Sequence, residues 1–430
     1  MSSPESPQGG PVTPAGAILF IVTSLVFLVL AGLLLAVQPG FLLAKTLTGH
    51  GQAWISLLLF GFGLPAVYGA VYWALPQVFG LPLCSTQAAY IQYGFHLAGL
   101  LVVLLLPFVP ELPQAAWGGG LMACGGAIFI VNVARTLRRM ERPDVAACYL
   151  STMMVWLAAA LLLGPPFAAQ TPLAPLEGTG WSAGIVVLLA AGVLFNTILG
   201  LALRVTPRSL GIQPDRTHAA WYALAVLNAG VAWVFAAATF GPPAFLVFCA
   251  VILIAGALIY LSDFRNLLER RRGALSCGVR MLRAAVWMIP MAALLLIHDA
   301  GERLRLPPSV PADAAPLVPM PVTIGALDWT VALTAVFAAA IPGLLGILFQ
   351  LQDLQGGDAP GRGLPERLLP AAFGVYAFGT ALLLAGVWTG AGMVSAFGAA
   401  LLALGALGFL VSFVANLLPR PSSAPAGVVV

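Results

Sequence analysis

Charged residues are scarce in this chain: Asp, Glu, Lys and Arg together make up 8% of its 430 residues. Soluble domains carry about 25%, whereas here 60% of the residues are hydrophobic and the mean hydropathy is +0.99. This composition excludes a soluble globular protein and predicts a protein embedded in a lipid bilayer. The net charge of +4 gives no reason to expect a nucleic-acid partner.

Cysteine, histidine and membrane-depth carboxylates are also few. The five cysteines are scattered and form neither a CxxC metal pair nor a c-type haem motif, which favours small buried side chains. No Asp or Glu falls in the middle of an apolar run. Proton pumps and ion-coupled carriers normally need an ionisable group at that depth, so both functions lose support.

Twelve apolar stretches are each long enough to cross a hydrocarbon core, which takes roughly 20 residues. This length predicts helices rather than barrel strands, because backbone groups in lipid must be satisfied within the protein. We therefore expect an all-α membrane protein with transmembrane helices at about 15–36, 52–75, 87–107, 115–137, 145–166, 181–204, 218–239, 243–264, 281–299, 324–351, 368–388 and 391–418.

The basic residues predict the orientation of these helices. With the N-terminus inside, sixteen of the nineteen fall in cytoplasmic loops, and the exceptions are Lys45, Arg303 and Arg305. This is the positive-inside pattern, and it predicts cytoplasmic N- and C-termini in a multi-pass protein of the bacterial inner membrane. No basic segment precedes the first span, so a cleavable signal is not expected. Residues 1–14 and 421–430 are expected to be disordered tails.

One stretch of the sequence recurs. Residues 50–142 match residues 181–273 without a gap, at a fixed offset of 131. A repeat of this length in so apolar a chain predicts copies of one helical unit. The matching pairs include Gly61 and Gly192, Gly69 and Gly200, Pro76 and Pro207, Gly80 and Gly211, Gly99 and Gly230, Gly125 and Gly256, and Arg139 and Arg270.

A third copy is indicated by the ends of two helices. Ser262–Arg270, which closes the eighth span, resembles Ser412–Arg420, which closes the twelfth, at an offset of 150. Helices 2, 6 and 10 would then be equivalent. We expect one transmembrane domain over 15–420 with three pseudo-repeated four-helix units, at about 15–142, 145–273 and 281–420.

Helix 2 carries a stripe of residues three or four positions apart, which places them on one helix face. The stripe consists of His50, Trp54, Leu57, Gly61 and Pro65. Small residues at this spacing usually receive a neighbouring helix in membrane proteins.

The residues around this stripe also carry a family resemblance. Thr48-Gly49-His50-Gly51, then Gly61 and Gly69, then Pro76-x-x-x-Gly80 and Leu81-Pro82-Leu83 resemble the second helix of the haem–copper oxidase core subunit, subunit I. The resemblance is closest to cbb-type oxidases and nitric-oxide reductases. In that family twelve helices form three arcs of four, with the N-terminus inside.

The resemblance implies a haem site near the outer surface. It makes His50 a candidate axial ligand of one b-type haem, with Gly61 on the face that would accommodate the macrocycle. The alternative for His50 is an interfacial histidine that caps the helix. His298 is the one other histidine at roughly the depth of His50, and it is the candidate second ligand.

The remaining family ligands are missing from this sequence. Trp181 stands at the helix 6 position that corresponds to His50, and neither residues 231–236 nor residues 326–330 contain a histidine. A copper centre of this family needs three imidazoles. We therefore expect no copper and no reduction of oxygen or nitric oxide at a binuclear centre.

Two histidines remain. His96 lies near the middle of helix 3, where an ionisable group costs free energy and suggests a function; the alternative is a neutral imidazole bonded to a neighbouring helix. His218 begins helix 7 and is assigned to the aqueous boundary.

Three functions are compatible with the sequence. The favoured one is a non-catalytic haem-binding or scaffold subunit of a respiratory-type complex, with other membrane subunits as partners and a possible role in electron transport. The second is an active reductase with unconventional ligands. The third is a transporter of a neutral or apolar solute, which would need helices broken at mid-membrane; Pro65 and Pro290 are the candidate break points.

Overall fold

The regular structure of the chain is helical throughout the described residues. The computed structural model describes residues 15–40, 54–105, 115–170, 180–213, 218–240, 243–271, 275–305, 334–356 and 364–417. Within them, twelve helices are long and apolar enough to cross a membrane. They are α1 Ala15–Val37, α2 Trp54–Gln77, α3 Thr86–Leu105, α4 Ala115–Leu137, α5 Val145–Gln170, α6 Gly180–Val187 continuing through Leu188–Phe195 and Asn196–Ser209, α7 His218–Phe240, α8 Pro243–Glu269, α9 Cys277–Arg305, α10 Thr334–Ala340 continuing through Ile341–Gly356, α11 Leu364–Thr389 and α12 Gly392–Leu417.

The twelve predicted spans are confirmed as helices, and two of them, α9 and α11, begin about one turn before the predicted residue. α9 begins at Cys277, about one turn before the predicted residue 281. The Ser276 hydroxyl accepts a hydrogen bond from the Val279 N–H at 3.4 Å, so it caps a first turn that hydropathy alone does not reveal. α9 continues through Pro290. The predicted start of α10, at residue 324, lies outside the described residues.

Three helices form the centre of the bundle. In α2 and α10, 83% of the residues of the apolar window are buried, and in α6 72%, against 28–50% in the other nine spans. The three pack against one another. The Trp54 ring stacks on Phe337 at 5.7 Å between centroids, and Leu194 packs on Gly63. The centre is therefore filled by apolar side chains.

The other nine helices surround this centre. Around the perimeter, each helix packs on the next in the order α1, α3, α4, α5, α7, α8, α9, α11, α12 and back to α1. Each of the central helices also packs on the perimeter helix that precedes it in sequence: α2 on α1, α6 on α5 and α10 on α9. Large apolar side chains on the perimeter are exposed, as expected for a surface in contact with lipid tails.

Glycines set how closely the central helices approach the perimeter. A Cβ atom on Gly69 would lie 2.5 Å from Ile21 Cγ1 of α1, and one on Gly200 would lie 2.6 Å from Tyr149 Cβ of α5. A Cβ atom on Gly346 of α10 would lie 2.7 Å from the carbonyl oxygen of Gly278 in α9. A side chain at any of these three places would push two helices apart.

Glycine is also required where two central helices end. Gly80 follows α2 with φ of 69°, and Gly211 follows α6 with φ of 65°. This left-handed conformation is readily adopted only by glycine. The turns close with hydrogen bonds from Leu81 N to the Leu75 carbonyl and from Ile212 N to the Pro207 carbonyl. Gly80 and Gly211, which match in the sequence repeat, thus have the same role: each allows a left-handed turn at the end of its helix.

Polar contacts cluster at the end of the bundle where α2, α6 and α10 finish. Arg208 donates to the Gln77 carbonyl at 2.7 Å, and Ser209 donates to Gln350 Oε1 at 3.1 Å. Nearby, Arg204 forms a 2.6 Å ion pair with Asp144. The basic residues of the α6 terminus therefore hold together the ends of several helices.

The close approach of α10 to α9 can be tested at Gly346. Gly346→Ala would place a methyl group against backbone atoms of α9, and overpacking of this kind costs about 1–3 kcal/mol. We expect a lower midpoint of thermal unfolding in detergent.

Gly374→Ala on α11 is the matched control, because nothing lies within 4 Å of its Cβ position. It should leave the midpoint unchanged or raise it slightly, as alanine is the better helix former. Equal midpoints for the two variants would contradict the close packing at Gly346.

Candidate functional site in the central helices

Each central helix contains a π-helical segment. The segments are Leu57–Gly63 in α2, Leu188–Phe195 in α6 and Thr334–Ala340 in α10. Counted from the first residue of each segment, the glycines that face the perimeter, Gly69, Gly200 and Gly346, are twelve residues further on. Each π-helical segment therefore begins at the same distance along its helix from the glycine that packs on a perimeter helix. Such segments often mark functional positions.

Proline explains the segments in α2 and α10. Pro65 and Pro342 each lie eight residues after the start of the segment. In α2 the Leu64 N–H bonds to the Leu59 carbonyl five residues back. The next carbonyl, that of Phe60, would need the N–H of Pro65, and proline has none. By the same spacing, Pro342 leaves the Phe337 carbonyl without a donor from its own helix.

A side chain from a neighbouring helix bonds to each of these carbonyls. His96 of α3 lies 2.8 Å from the Phe60 carbonyl through Nε2, and Tyr376 of α11 donates its hydroxyl to the Phe337 carbonyl at 3.0 Å. Because a carbonyl oxygen only accepts, Nε2 of His96 carries the proton. His96 and Tyr376 both lie three residues before a glycine that packs on the next helix, Gly99 and Gly379.

In α6, Asn196 stands at the position that Pro65 and Pro342 occupy in the other two central helices. Its side chain bonds to a carbonyl of its own helix. Asn196 Nδ2 donates to the Gly192 carbonyl at 2.8 Å. Asn196 and Asn228 of α7 also exchange a pair of 3.0 Å hydrogen bonds, and Trp156 of α5 donates to Asn228 at 2.7 Å. Polar side chains thus satisfy the backbone and each other within an apolar surrounding.

A second polar group connects α2, α3 and α4. The Tyr72 hydroxyl donates to Gln92 Oε1, and Asn132 Nδ2 lies 3.4 Å from the Tyr72 oxygen. Asn132 also bonds to both the N–H and the carbonyl of Ser85 just before α3. Thr136, one turn further along α4, accepts from the Cys84 N–H. This line of hydrogen bonds runs from the start of α3 into the interior of the bundle.

The chemistry of these groups is that of neutral hydrogen bonding. The participants are Tyr, Gln, Asn, Thr and Trp side chains and an imidazole whose carbonyl partner is uncharged. No three His, Cys, Asp or Glu side chains come together as a metal site among the residues that the structure describes. The arrangement stabilises irregular backbone and fixes helix positions; it does not bring together a nucleophile and a base.

The structure describes part of the α2 face that is predicted to accommodate haem. His50 lies outside the described residues. Gly61 is buried, and a Cβ atom there would lie 2.9 Å from Cγ of Phe27 in α1. Gly192 of α6 meets Trp156 of α5 in the same manner, at 2.7 Å. At Gly61 the described residues place the Phe27 ring against the glycine face of α2. The assignments of His50 and Gly61 stay predictions.

The two remaining histidines lie at helix ends. His298 is exposed near the end of α9, and its ring meets the edge of Trp388 at 5.6 Å between centroids. His218 is the first residue of α7 and is exposed. The structure brings neither of them to His96. His298 as a second axial ligand also stays a prediction.

Sequence analysis missed the proline and tyrosine positions that the structure joins to His96. The sequence indicates Pro65 as a member of the helix 2 stripe and as a candidate break point, yet α2 continues through it. The sequence does not single out Pro342 or Tyr376, because the third copy is recognisable only at its C-terminal end. A sequence alignment of Gly99 in α3 with Gly379 in α11 places Tyr376 at the position of His96.

Comparison with known proteins adds no family. No protein-family model matches the chain, and no curated protein matches it in sequence. The structure therefore defines the class as a multi-pass helical protein with twelve candidate membrane spans.

The bond between Tyr376 and Phe337 gives a direct test. Tyr376→Phe removes the donor and leaves a buried carbonyl unsatisfied, which costs about 1–3 kcal/mol. The free energy of unfolding should fall by that amount in a reversible denaturation assay. Tyr222→Phe, at an exposed tyrosine of α7, should stay within about 0.5 kcal/mol. Similar values for the two variants would contradict the capping role of Tyr376.

Proposed function

We propose that this protein is a non-catalytic membrane subunit with the architecture of haem–copper oxidase subunit I. In this proposal it serves as a scaffold for other membrane subunits of a respiratory-type complex in the bacterial inner membrane, and takes up at most one b-type haem, at His50. The observation that carries the proposal is the recurrence of one helix arrangement at three places, combined with the absence of the family's histidines from helices 6, 7 and 10.

Three four-helix units are supported by matched contacts. Gly99 of α3 packs on Met122 of α4, Gly230 of α7 on Leu253 of α8, and Gly379 of α11 on Leu402 of α12. The first two contacts are related by the offset of 131 at both residues. α1, α5 and α9 would then be equivalent, as would the three central helices with their π-helical segments. This is the arrangement of three arcs that the resemblance implies.

A scaffold role is supported by the packing of the interior. The centre is filled by contacts such as Trp54 with Phe337, and the glycine face of α2 is filled by Phe27. Several polar side chains inside the bundle join neighbouring helices, as His96 and Tyr376 do. A transporter of a neutral or apolar solute is less well supported, because α2, α6 and α10 continue through their π-helical segments and α9 continues through Pro290.

Cytoplasmic termini are part of the proposal and can be tested with fusions. Green fluorescent protein attached after residue 430 should fluoresce, since it folds in the cytoplasm. Alkaline phosphatase inserted after Arg305 should be active, since it requires the oxidising outer side. The reverse pattern would contradict the orientation inferred from the basic residues.

A metal and oxygen assay tests the non-catalytic assignment. We expect purified protein to contain copper far below one atom per chain and to consume oxygen no faster than its His50→Ala variant. Any b-type haem seen as a pyridine haemochrome should be lost in that variant. Iron and copper together in stoichiometric amounts, with oxygen uptake, would establish an active reductase and contradict the proposal.

A further inference from the structure

α2 and α3 form a short ladder of polar side chains inside the first four helices. Tyr68 and Tyr72 lie one turn apart on α2, and Gln92 and His96 lie one turn apart on α3. Tyr72 bonds to Gln92 at one end of the ladder, and His96 bonds to the Phe60 carbonyl at the other. The part of the ladder between these two bonds contains Tyr68.

Three polar atoms in this interval have no hydrogen-bond partner among the described residues. They are the hydroxyl of Tyr68, Nε2 of Gln92 and Nδ1 of His96. The side chains are 0%, 0% and 3% exposed, respectively. The Tyr68 and His96 rings are in edge contact, with centroids 5.5 Å apart. Gln92 lies one turn from His96 on the same face of α3, so the three side chains are neighbours. Unpaired polar atoms are costly in a lipid-embedded interior.

The hydrogen-bonding capacity of each atom is fixed by its other bonds. Nε2 of His96 donates to a carbonyl, so in the neutral ring Nδ1 is an acceptor. Oε1 of Gln92 accepts from Tyr72, so the hydrogens on its Nε2 are the unused donors. The Tyr68 hydroxyl can donate or accept. The three atoms therefore offer one acceptor, one donor and one group that is both.

We propose that Tyr68, Gln92 and His96 form a buried binding site for an uncharged molecule of the size of water, and that its occupant is water. Water can accept from Gln92, donate to His96 and make a third bond with Tyr68, which matches the usual number of about three for buried waters. An ion does not fit, because the first four spans contain no Asp, Glu or Lys, and their first Arg is Arg135 near the end of α4.

Three places in the bundle correspond to one another, and the three polar residues occur together at only one of them. The positions that correspond to Tyr68, Gln92 and His96 hold Leu199, Ala223 and Leu227 in α6 and α7, and Leu345, Ala372 and Tyr376 in α10 and α11. Only Tyr376 is polar, and its hydroxyl is engaged by Phe337. The apolar counterparts show that the helix packing does not itself require polar groups here.

The hydrogen-bonded line through Tyr72 leads from the site to the end of the bundle. Asn132 connects Tyr72 to the backbone of Ser85, which is only half-buried. The side chains of this line thus connect the site to the start of α3 through protein hydrogen bonds alone.

The sign of a stability change tests the proposal. Tyr68→Phe deletes a hydroxyl that is bonded if water is present and unpaired if it is not. With water, we expect the midpoint of thermal unfolding to fall by a few degrees, as it should for Tyr72→Phe, whose hydroxyl has a protein partner. Removing an unpaired buried hydroxyl would leave the midpoint unchanged or raise it.

A cryo-EM map of the full chain in a lipid nanodisc tests the same point directly, at a resolution that shows ordered water elsewhere in the protein. We expect a density peak within about 3.2 Å of the three polar atoms. The peak should disappear in the triple variant Tyr68→Leu, Gln92→Ala and His96→Leu, which copies α6 and α7. Absence of the peak in the unmodified protein, or an unchanged or raised midpoint in Tyr68→Phe, would overturn the proposal.

Discussion

A backbone carbonyl that loses its partner inside a lipid-embedded helix must find a donor within the protein, because no water is available from the hydrocarbon. Pro65 and Pro342 create this situation in two of the three central helices. His96 and Tyr376 resolve it from the neighbouring helix with chemically different side chains at matching places. The requirement places α3 beside the π-helical segment of α2 and α11 beside that of α10.

Glycine contacts set the remaining distances in the bundle. In lipid there is little hydrophobic drive between helices, so close van der Waals contact and hydrogen bonds must hold them together. Gly69, Gly200 and Gly346 let the perimeter helices reach the centre at three places. The same closeness leaves no room beside Gly61 for a large planar ligand while Phe27 keeps its position.

The sequence allowed the helical spans to be predicted well, because hydropathy and the distribution of arginine reflect the bilayer itself. It also paired Gly69 with Gly200, which the structure explains by equivalent contacts with α1 and α5. The π-helical segments of α2 and α10 could not be predicted, since each depends on a proline, a released carbonyl and a donor from another helix. His96 looked like a possible functional residue for its depth alone; its carbonyl partner is 36 positions away in sequence. The predicted ligand His50 lies outside the described residues.

The hydrogen bond from His96 to the Phe60 carbonyl is the central element of this account, and nitrogen NMR of the histidines tests it most directly. The chain has only four histidines, so the His96 signals of ¹⁵N-labelled protein in lipid can be assigned with a His96→Leu variant. The account predicts a neutral ring with the proton on Nε2 and an unprotonated Nδ1. A proton on Nδ1 with an unprotonated Nε2 would show that His96 does not donate to the released carbonyl, and would contradict the account.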